Sequence, residues 1–360
     1  MTKRINASAG GADYDIVIGN SILAGAFRDR RLASFESVAV IVSSRVYSLH
    51  RAYIDESIAL FGCRSHLMMM DDREEMKGYE HGGRFLEGFL EKRLNRNSLV
   101  VGIGGGVTGD FAGFCAGVYM RGIPVLHVPT TLLAMVDSSI GGKSAVNLSA
   151  GKNIVGVFRQ PVMVAADTLF LGTLPESEMR NGLAEALKHG LIGDAATLDL
   201  MEKNDMKTIV RPKTIERLVE LSAAFKADVV SRDEREKGVR AILNYGHTVG
   251  HAIESYRGYR GISHGMAVAA GILVMVEAGR RRGMLSDSEA RRVGAVMETY
   301  GLMPGPLDID VGDVCRHMEY DKKNTGGAIN FVMLEGIGKP VYNRELPLGL
   351  LQEVMSDVLS

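Results

Sequence analysis

No basic surplus marks this chain: 42 lysines and arginines face 43 aspartates and glutamates, for a formal net charge of −1. That excludes the electrostatic footprint of a nucleic-acid binder, and with no block of like charge there is no sign of a disordered tail. Cysteine is scarce. Cys63, Cys115 and Cys315 are far apart and form no CxxC, so a disulfide framework and a paired-cysteine metal site are both excluded. They read as buried or free thiols in a reducing compartment. No apolar run approaches the roughly 20 residues of a membrane span. The richest stretch, residues 266–276, predicts a buried helix instead. The N-terminus lacks the apolar segment of a signal peptide. Repeats and low-complexity segments are absent. These absences lead us to expect a soluble, cytoplasmic protein with no nucleic-acid or membrane partner.

What remains is ordinary globular material. The chain has 360 residues, 46% hydrophobic and 24% charged, enough for two domains with separate cores. The 19 methionines, with Met68-Met69-Met70 as a cluster, read as core filling. The first half alternates β-rich runs with helical stretches. Strands are predicted at 38–42, 66–69, 98–103 and 125–128, and helices at about 53–61 and 79–95. Such alternation predicts a parallel sheet covered on both faces. From about residue 173 the pattern turns to long helices. Thr173-Leu-Pro-Glu176 reads as a capping box before one of them. We therefore expect an α/β dinucleotide-binding domain over 1–172 and a mainly helical domain over 173–360.

In the first half, Gly104-Gly105-Gly106-Val107-Thr108-Gly109-Asp110 follows a predicted strand and opens a predicted helix. Glycines there let backbone N–H groups approach a phosphate at a helix N-terminus. The acidic residue usually found about 20 positions further on is missing, since residue 129 is proline. The ordinary dinucleotide fingerprint is thus incomplete, and a plain tight turn is the competing reading. Glu74 and Lys77 follow the second strand and suit either ring hydroxyls or a solvated helix start. Residues 130–153 hold Thr130, Thr131, Asp137, Lys143, Asn147, Lys152 and Asn153 among glycines, and read as a polar loop. Lysines beside glycines favour close approach to an anion.

In the second half, Arg240, Asn244, His247 and His251 follow at steps of four, three and four. If helical, they line one face. His264 follows and Glu185 lies upstream, so two imidazoles and a carboxylate are available, which leave an open position on a tetrahedral metal. An isolated histidine pair at this spacing is more often a polar helix surface. The cations weigh against that here: Arg121, Lys143, Lys152, Lys188, Lys226, Arg240 and Lys322 exceed what one metal site needs. A substrate bearing both phosphate and carboxylate accounts for them. Lys323 reads as solvated.

With these residues assembled, the sequence resembles the 3-dehydroquinate synthase family of sugar-phosphate cyclases. The resemblance rests on GGGVTGDFAGFCAGVYMRG at 104–122, VPTTLLAMVDSSIGGKSAVN at 128–147 and GKNIVGVF at 151–158. It continues through GLAEALKHG at 182–190, KADVVSRDEREKGVRAILNYGHTVGHAIE at 226–254 and HMEYDKK at 317–323. The resemblance implies an NAD-binding domain, a helical metal domain and a homodimer. It implies Glu185, His247 and His264 as ligands of Zn2+ or Co2+, with His251 a base or hydrogen-bond partner outside the metal. Asp137, Lys143, Lys152, Asn153, Lys188, Lys226, Arg240, Asn244, Lys322 and Arg121 would meet substrate, Arg121 from the partner subunit. Glu74, Lys77, Gly105, Gly106, Asp110, Thr130 and Thr131 would hold NAD, with Asp137, Lys143 and Lys152 also near it.

The implied reaction converts 3-deoxy-D-arabino-heptulosonate 7-phosphate to 3-dehydroquinate and phosphate, with no net change in NAD. Two departures stand out. Met266 replaces a glutamate that many relatives carry after the third ligand, and Ser43-Ser44 replace an aspartate that some carry after the first long strand. The alternatives are a sister cyclase forming an amino- or deoxy-carbocycle, a metal-dependent alcohol or glycerol dehydrogenase, and a non-catalytic metal-binding protein. Asn244 and Lys322 favour dehydroquinate over the sister cyclases.

Overall fold

The structure is a computed structural model that describes residues 2–149, 151–320 and 329–359. It divides into two compact units, Met1–Pro175 with Ile215–Glu234, and Glu176–Thr214 with Arg235–Ser360.

The first unit is built on a seven-stranded sheet. Its first six strands are β1 (Lys3–Ala9), β2 (Ala12–Gly19), β3 (Ser37–Ser43), β4 (Arg64–Met70), β5 (Ser98–Gly104) and β6 (Val125–Pro129). The polar stretch expected as a loop instead forms a short π-helical turn, Ala134–Ser138, and a hairpin of β7 (Lys143–Leu148) with β8 (Gly151–Phe158). β9 (Met163–Asp167) returns to the sheet. The order is β1-β2-β9-β6-β5-β3-β4, and only β1 runs antiparallel to its neighbour.

β-Branched runs explain the sheet. In β3, Val38, Val40 and Val42 face one core cluster, while Ala39 and Ile41 face another. Strands buried on both faces read as continuous apolar sequence, as parallel sheets require. Helices Ser44–Ile58, Tyr79–Glu91 and Gly106–Val118 follow β3, β4 and β5 in the expected alternation. The chain leaves β3 toward β4 and later places β5 on the other side of β3. This reversal brings the carboxyl ends of β3 and β5 together, the usual place for a ligand crevice in such sheets.

The helix Pro212–Arg232 belongs to this unit from Ile215 onward, a return that a single boundary near residue 172 leaves out. Ion pairing ties it there. Lys226 Nζ bonds the Asp137 carboxylate at 2.6 Å, and Lys3 pairs with Glu220.

The second unit is mainly helical. Its longer helices are Glu176–Ile192, His247–Tyr256, His264–Arg281, Asp287–Thr299, Val311–Tyr320 and Leu348–Leu359, with a small hairpin of β10 (Asn330–Leu334) and β11 (Pro340–Glu345). Thr173 does not cap the first of these. Leu174 is extended, the helix opens at Glu176, and the Thr173 hydroxyl lies 2.7 Å from His50 Nε2. A capping box does occur at Ser286 and Glu289. Among the described residues no helix is long and apolar enough to cross a membrane.

One glycine contact sets the second unit's packing. Gly246 adopts φ +78°, and a Cβ at Gly271 would lie 1.9 Å from its carbonyl oxygen. A Cβ at Gly250 would likewise lie 2.9 Å from Ala267 O. Helices His247–Tyr256 and His264–Arg281 can therefore approach backbone to backbone. We predict that Gly271→Ala lowers stability by about 1–3 kcal/mol, the usual range for forcing a methyl into a packed interior. Denaturant unfolding followed by circular dichroism checks this; an unchanged midpoint contradicts it.

Candidate active site and metal centre

The second-unit site begins with a buried carboxylate. Residues 181–192 of the helix Glu176–Ile192 are all buried, and Glu185 is among them. A buried carboxylate must find partners. Lys188, one turn on and equally buried, pairs with its Oε2. The other oxygen, Oε1, is buried without a hydrogen bond. It points between two imidazoles, 3.5 Å from His247 Nε2 and 3.6 Å from His264 Nε2.

Both imidazoles stand at the start of their helices, which the glycine contact brings together. His247 Nδ1 lies 3.2 Å from the Tyr245 carbonyl. His264 Nδ1 lies 3.3 Å from Glu254 Oε2. Each ring thus turns Nε2 toward Glu185.

Burial alone would raise the Glu185 carboxyl. The Lys188 ammonium, with His247 and His264, outweighs burial and holds it well below the carboxylate range. Burial and then Lys188 push His247 far down, so it is neutral. Burial would lower His264 as well. Its pairing with the Glu185 and Glu254 carboxylates wins, and holds it up at about 10. The ligand atoms of Glu185, His247 and His264 lie within 4.8 Å of one another. One orphaned carboxylate oxygen and two imidazole nitrogens suit Zn2+ or Co2+ and leave room for a further ligand.

His251 is one turn beyond His247, with ring centroids 5.3 Å apart and 5.9 Å to His264. It forms a second grouping with Glu254 and His264. Arg240 and Asn244 are not on the same helix as the histidines. Val239–Asn244 is a 3-10 turn, and extended Tyr245 with left-handed Gly246 separates it from His247. Arg240 is buried. Asn244 Nδ2 donates to Glu236 Oε1. Lys322, with Lys323 and Asn324, lies outside the described residues.

In the first unit, Gly105 caps the helix Gly106–Val118 just past β5. A Cβ at Gly104 would sit 2.5 Å from Thr108 Cβ, so the turn admits no side chain there. Thr130 donates its N–H to Gly104 O at 2.9 Å, while its own hydroxyl is buried and unpaired. The Thr131 hydroxyl accepts from Ala134 N. A bare glycine turn and an orphaned hydroxyl fit a dinucleotide phosphate and its sugar.

Buried Lys77 gathers the neighbouring polar groups. Its ammonium pairs with Asp110 and donates to Asn153 Oδ1 at 2.7 Å. Burial lifts the Asp110 carboxyl even so, with Lys77 opposing. Glu74 Oε1 accepts from Asn147 at 2.8 Å and lies 4.0 Å from Lys152 Nζ. Asn147 in turn accepts from Asn153 N at 2.9 Å. Glu74, Lys77, Asp110, Lys152 and Asn153 therefore form one network, and Asp137 with Lys226 another. Lys143 is exposed at the hairpin start. Arg121 is exposed too, beside Met120, and both hold positive φ, +69° and +48°.

Residues 67–181 match the family described as 3-dehydroquinate synthase N-terminal, and residues 182–324 match 3-dehydroquinate synthase C-terminal. The chain belongs to the 3-dehydroquinate synthase family. It is 39% identical to the 3-dehydroquinate synthase of Nitrosospira multiformis over 345 residues, 96% of this chain and 94% of that one. The fold is similar to a 2-deoxy-scyllo-inosose synthase complexed with carbaglucose-6-phosphate, NAD+ and Co2+, with a TM-score of 0.91 and 28% identity, over 99% of this chain and 100% of the other. It is similar also to the 2-epi-5-epi-valiolone synthase of Streptomyces hygroscopicus with NAD+ and Zn2+ bound, with a TM-score of 0.87 and 25% identity, over 98% of each. Membership of the 3-dehydroquinate synthase family makes the chain an enzyme.

Two groups escaped sequence reasoning. Glu254 stands three residues after His251, a spacing that could have revealed it. Asp72, at the end of β4, accepts a hydrogen bond from buried Ser43 at 2.6 Å. A carboxylate therefore does stand beside the position where some relatives place their aspartate.

The His264 shift has a measurable sign. Its folded value of about 10 exceeds the unfolded 6.5, so in metal-free protein its contribution is complete below about pH 6.5 and is lost as pH rises toward 10. We predict that His264→Gln removes a fall in the urea midpoint of the metal-free protein between those limits. Parallel midpoint curves for both proteins would contradict it.

Proposed function

We propose that the chain converts 3-deoxy-D-arabino-heptulosonate 7-phosphate to 3-dehydroquinate and phosphate, as a lyase dependent on NAD and a divalent metal. The observation that carries this is the orphaned Glu185 oxygen aimed at two Nε2 atoms, in a chain of this family. Greater identity to the dehydroquinate synthase (39%) than to the two other cyclases (28% and 25%) favours this substrate.

In this reading the first unit holds NAD and the second holds the metal on Glu185, His247 and His264. Gly105, Gly106 and Thr130 receive the dinucleotide phosphates, with Thr131 nearby. Glu74, Lys77 and Asp110 hold its ribose and nicotinamide end, with Asp137, Lys143 and Lys152 beside it. When bound, NAD+ and Zn2+ or Co2+ supply a reversible hydride acceptor and a Lewis acid.

The chain's own groups do the rest. Lys152, Asn153, Lys188 and Lys226 bind phosphate and ring oxygens, and Arg240 with Asn244 and Lys322 takes the carboxylate. Lys188 and Lys226 already answer to Glu185 and Asp137, so their ammonium groups are held in place before substrate arrives. His251 moves a proton near neutral pH. Arg121 serves the neighbouring subunit of a homodimer. A cytoplasmic location completes the reading.

Supplying the heptulosonate phosphate, NAD+ and Zn2+ tests the reaction. We expect one phosphate released per carbocycle formed, with no net NADH. Stoichiometric growth of NADH absorbance points to a dehydrogenase instead, and no turnover of the heptulosonate phosphate points to a sister cyclase.

The histidines separate by role. His247→Ala and His264→Ala should each lose metal and activity together. His251→Ala should keep its metal and lose about 10²–10⁴-fold in rate, the usual worth of a positioned proton-transfer group. Elemental analysis and steady-state rates measure both; metal lost from His251→Ala but kept by His264→Ala overturns the assignment.

A further inference from the structure

The two imidazoles facing Glu185 are not held alike. His247 is backed by a neutral backbone carbonyl, Tyr245 O at 3.2 Å. His264 is backed by a carboxylate, Glu254 Oε2 at 3.3 Å, on a side chain only 12% exposed. Glu254 projects from the helix that begins with His247, whereas His264 opens the next helix. One side chain thus spans the glycine-tight contact between these helices and grips the far ring.

We infer that Glu254 is a positioning residue: by accepting the Nδ1–H of His264, it fixes the tautomer and ring angle that present Nε2 to the metal. The inference rests on reading Glu185, His247 and His264 as the ligands. The chemistry is general. A carboxylate behind an imidazole orients the ring and raises its basicity as a ligand. A carbonyl orients without adding charge. His264 is therefore the stronger imidazole donor of the two, and its Nδ1 side faces Glu254. Glu254 also lies in reach of His251, within the grouping His251, Glu254 and His264. A ligand set with Glu254 in place of Glu185 would leave Glu185 Oε1 an orphan in the protein interior, and the geometry argues against that.

The test uses the full chain stripped of metal. Co2+ is titrated against a competing chelator into wild type, Glu254→Ala, Glu254→Gln and Glu185→Gln, and the visible ligand-field spectrum of each complex is recorded. We expect Glu254→Ala to bind Co2+ about 10- to 100-fold more weakly, the usual range for losing such a partner. Its spectrum should keep the wild-type shape at saturation, because the ligand set is intact. Glu254→Gln retains an accepting oxygen and should fall between the two. Glu185→Gln should change the spectrum itself. Long-range ¹H–¹⁵N correlation on the Zn2+ form should show His264 protonated at Nδ1 in wild type.

Wild-type Co2+ affinity in Glu254→Ala overturns the inference while leaving the ligand set standing. So does a proton on Nε2 of His264 in the Zn2+ form. A spectral change in Glu254→Ala with none in Glu185→Gln makes Glu254 a ligand and overturns both. Wild type that takes up no metal overturns the ligand reading first. Thermal melts of the metal-free variants guard against unfolding; Glu254→Gln, isosteric with the native residue, carries the test if Glu254→Ala does not fold.

Discussion

A charge buried inside a helix governs the second unit. Glu185 lies on a helical stretch with no exposed residue, and an isolated carboxylate there would be driven to its neutral form. Lys188 and two imidazoles prevent this. The arrangement divides labour between the two oxygens. One is neutralised by an ammonium on the same helix, and the other is left for groups on different helices. A cation entering the gap would compete with the proton on His264, not with the Lys188 ion pair. Keeping Lys188 in place matters for the same reason: the cation proposed to meet substrate is also what keeps the carboxylate ionised.

That electrostatic scheme needs two helices closer than side chains normally allow. Gly246, Gly250 and Gly271 supply the approach. Gly246 also ends the preceding 3-10 turn with a left-handed residue, which points the Tyr245 carbonyl at His247. Backbone geometry and ligand orientation are therefore set by the same residue. A bulkier residue would move the ring and the helix together.

Much of the first unit was legible because its strands are buried on both faces and so read as plain apolar runs. The hairpin at 143–158 was not, because its faces are half-exposed and carry lysine and asparagine where a strand usually carries aliphatic residues. Cross-strand pairing, which leaves no composition signal, holds it. The run from Arg240 to His251 fitted helical spacing throughout, yet Gly246 breaks it, and the period alone carried no warning. Thr173 had the right identity for a cap, but its hydroxyl is taken by His50. Of the site itself, every charged group named from sequence within the described residues is identifiable. Their pairings were not foreseen: Lys226 with Asp137, Lys188 with Glu185, Lys77 with Asp110. Glu254 and Asp72 do not stand out in the sequence, because each works through a neighbour.

The re-entry of residues 215–234 into the first unit has a consequence for biosynthesis. Chain emerging from a ribosome would present all nine strands by residue 167, but the unit would still lack Lys226 and Glu220. Glu220 would reach Lys3 only after 53 more residues, and Lys226 would reach Asp137 only after 59. A fragment cut at the end of the sheet would carry the same defect permanently. The first unit is continuous in space but interrupted in time, and its completion is tied to synthesis of helix Glu176–Ile192, which carries Glu185.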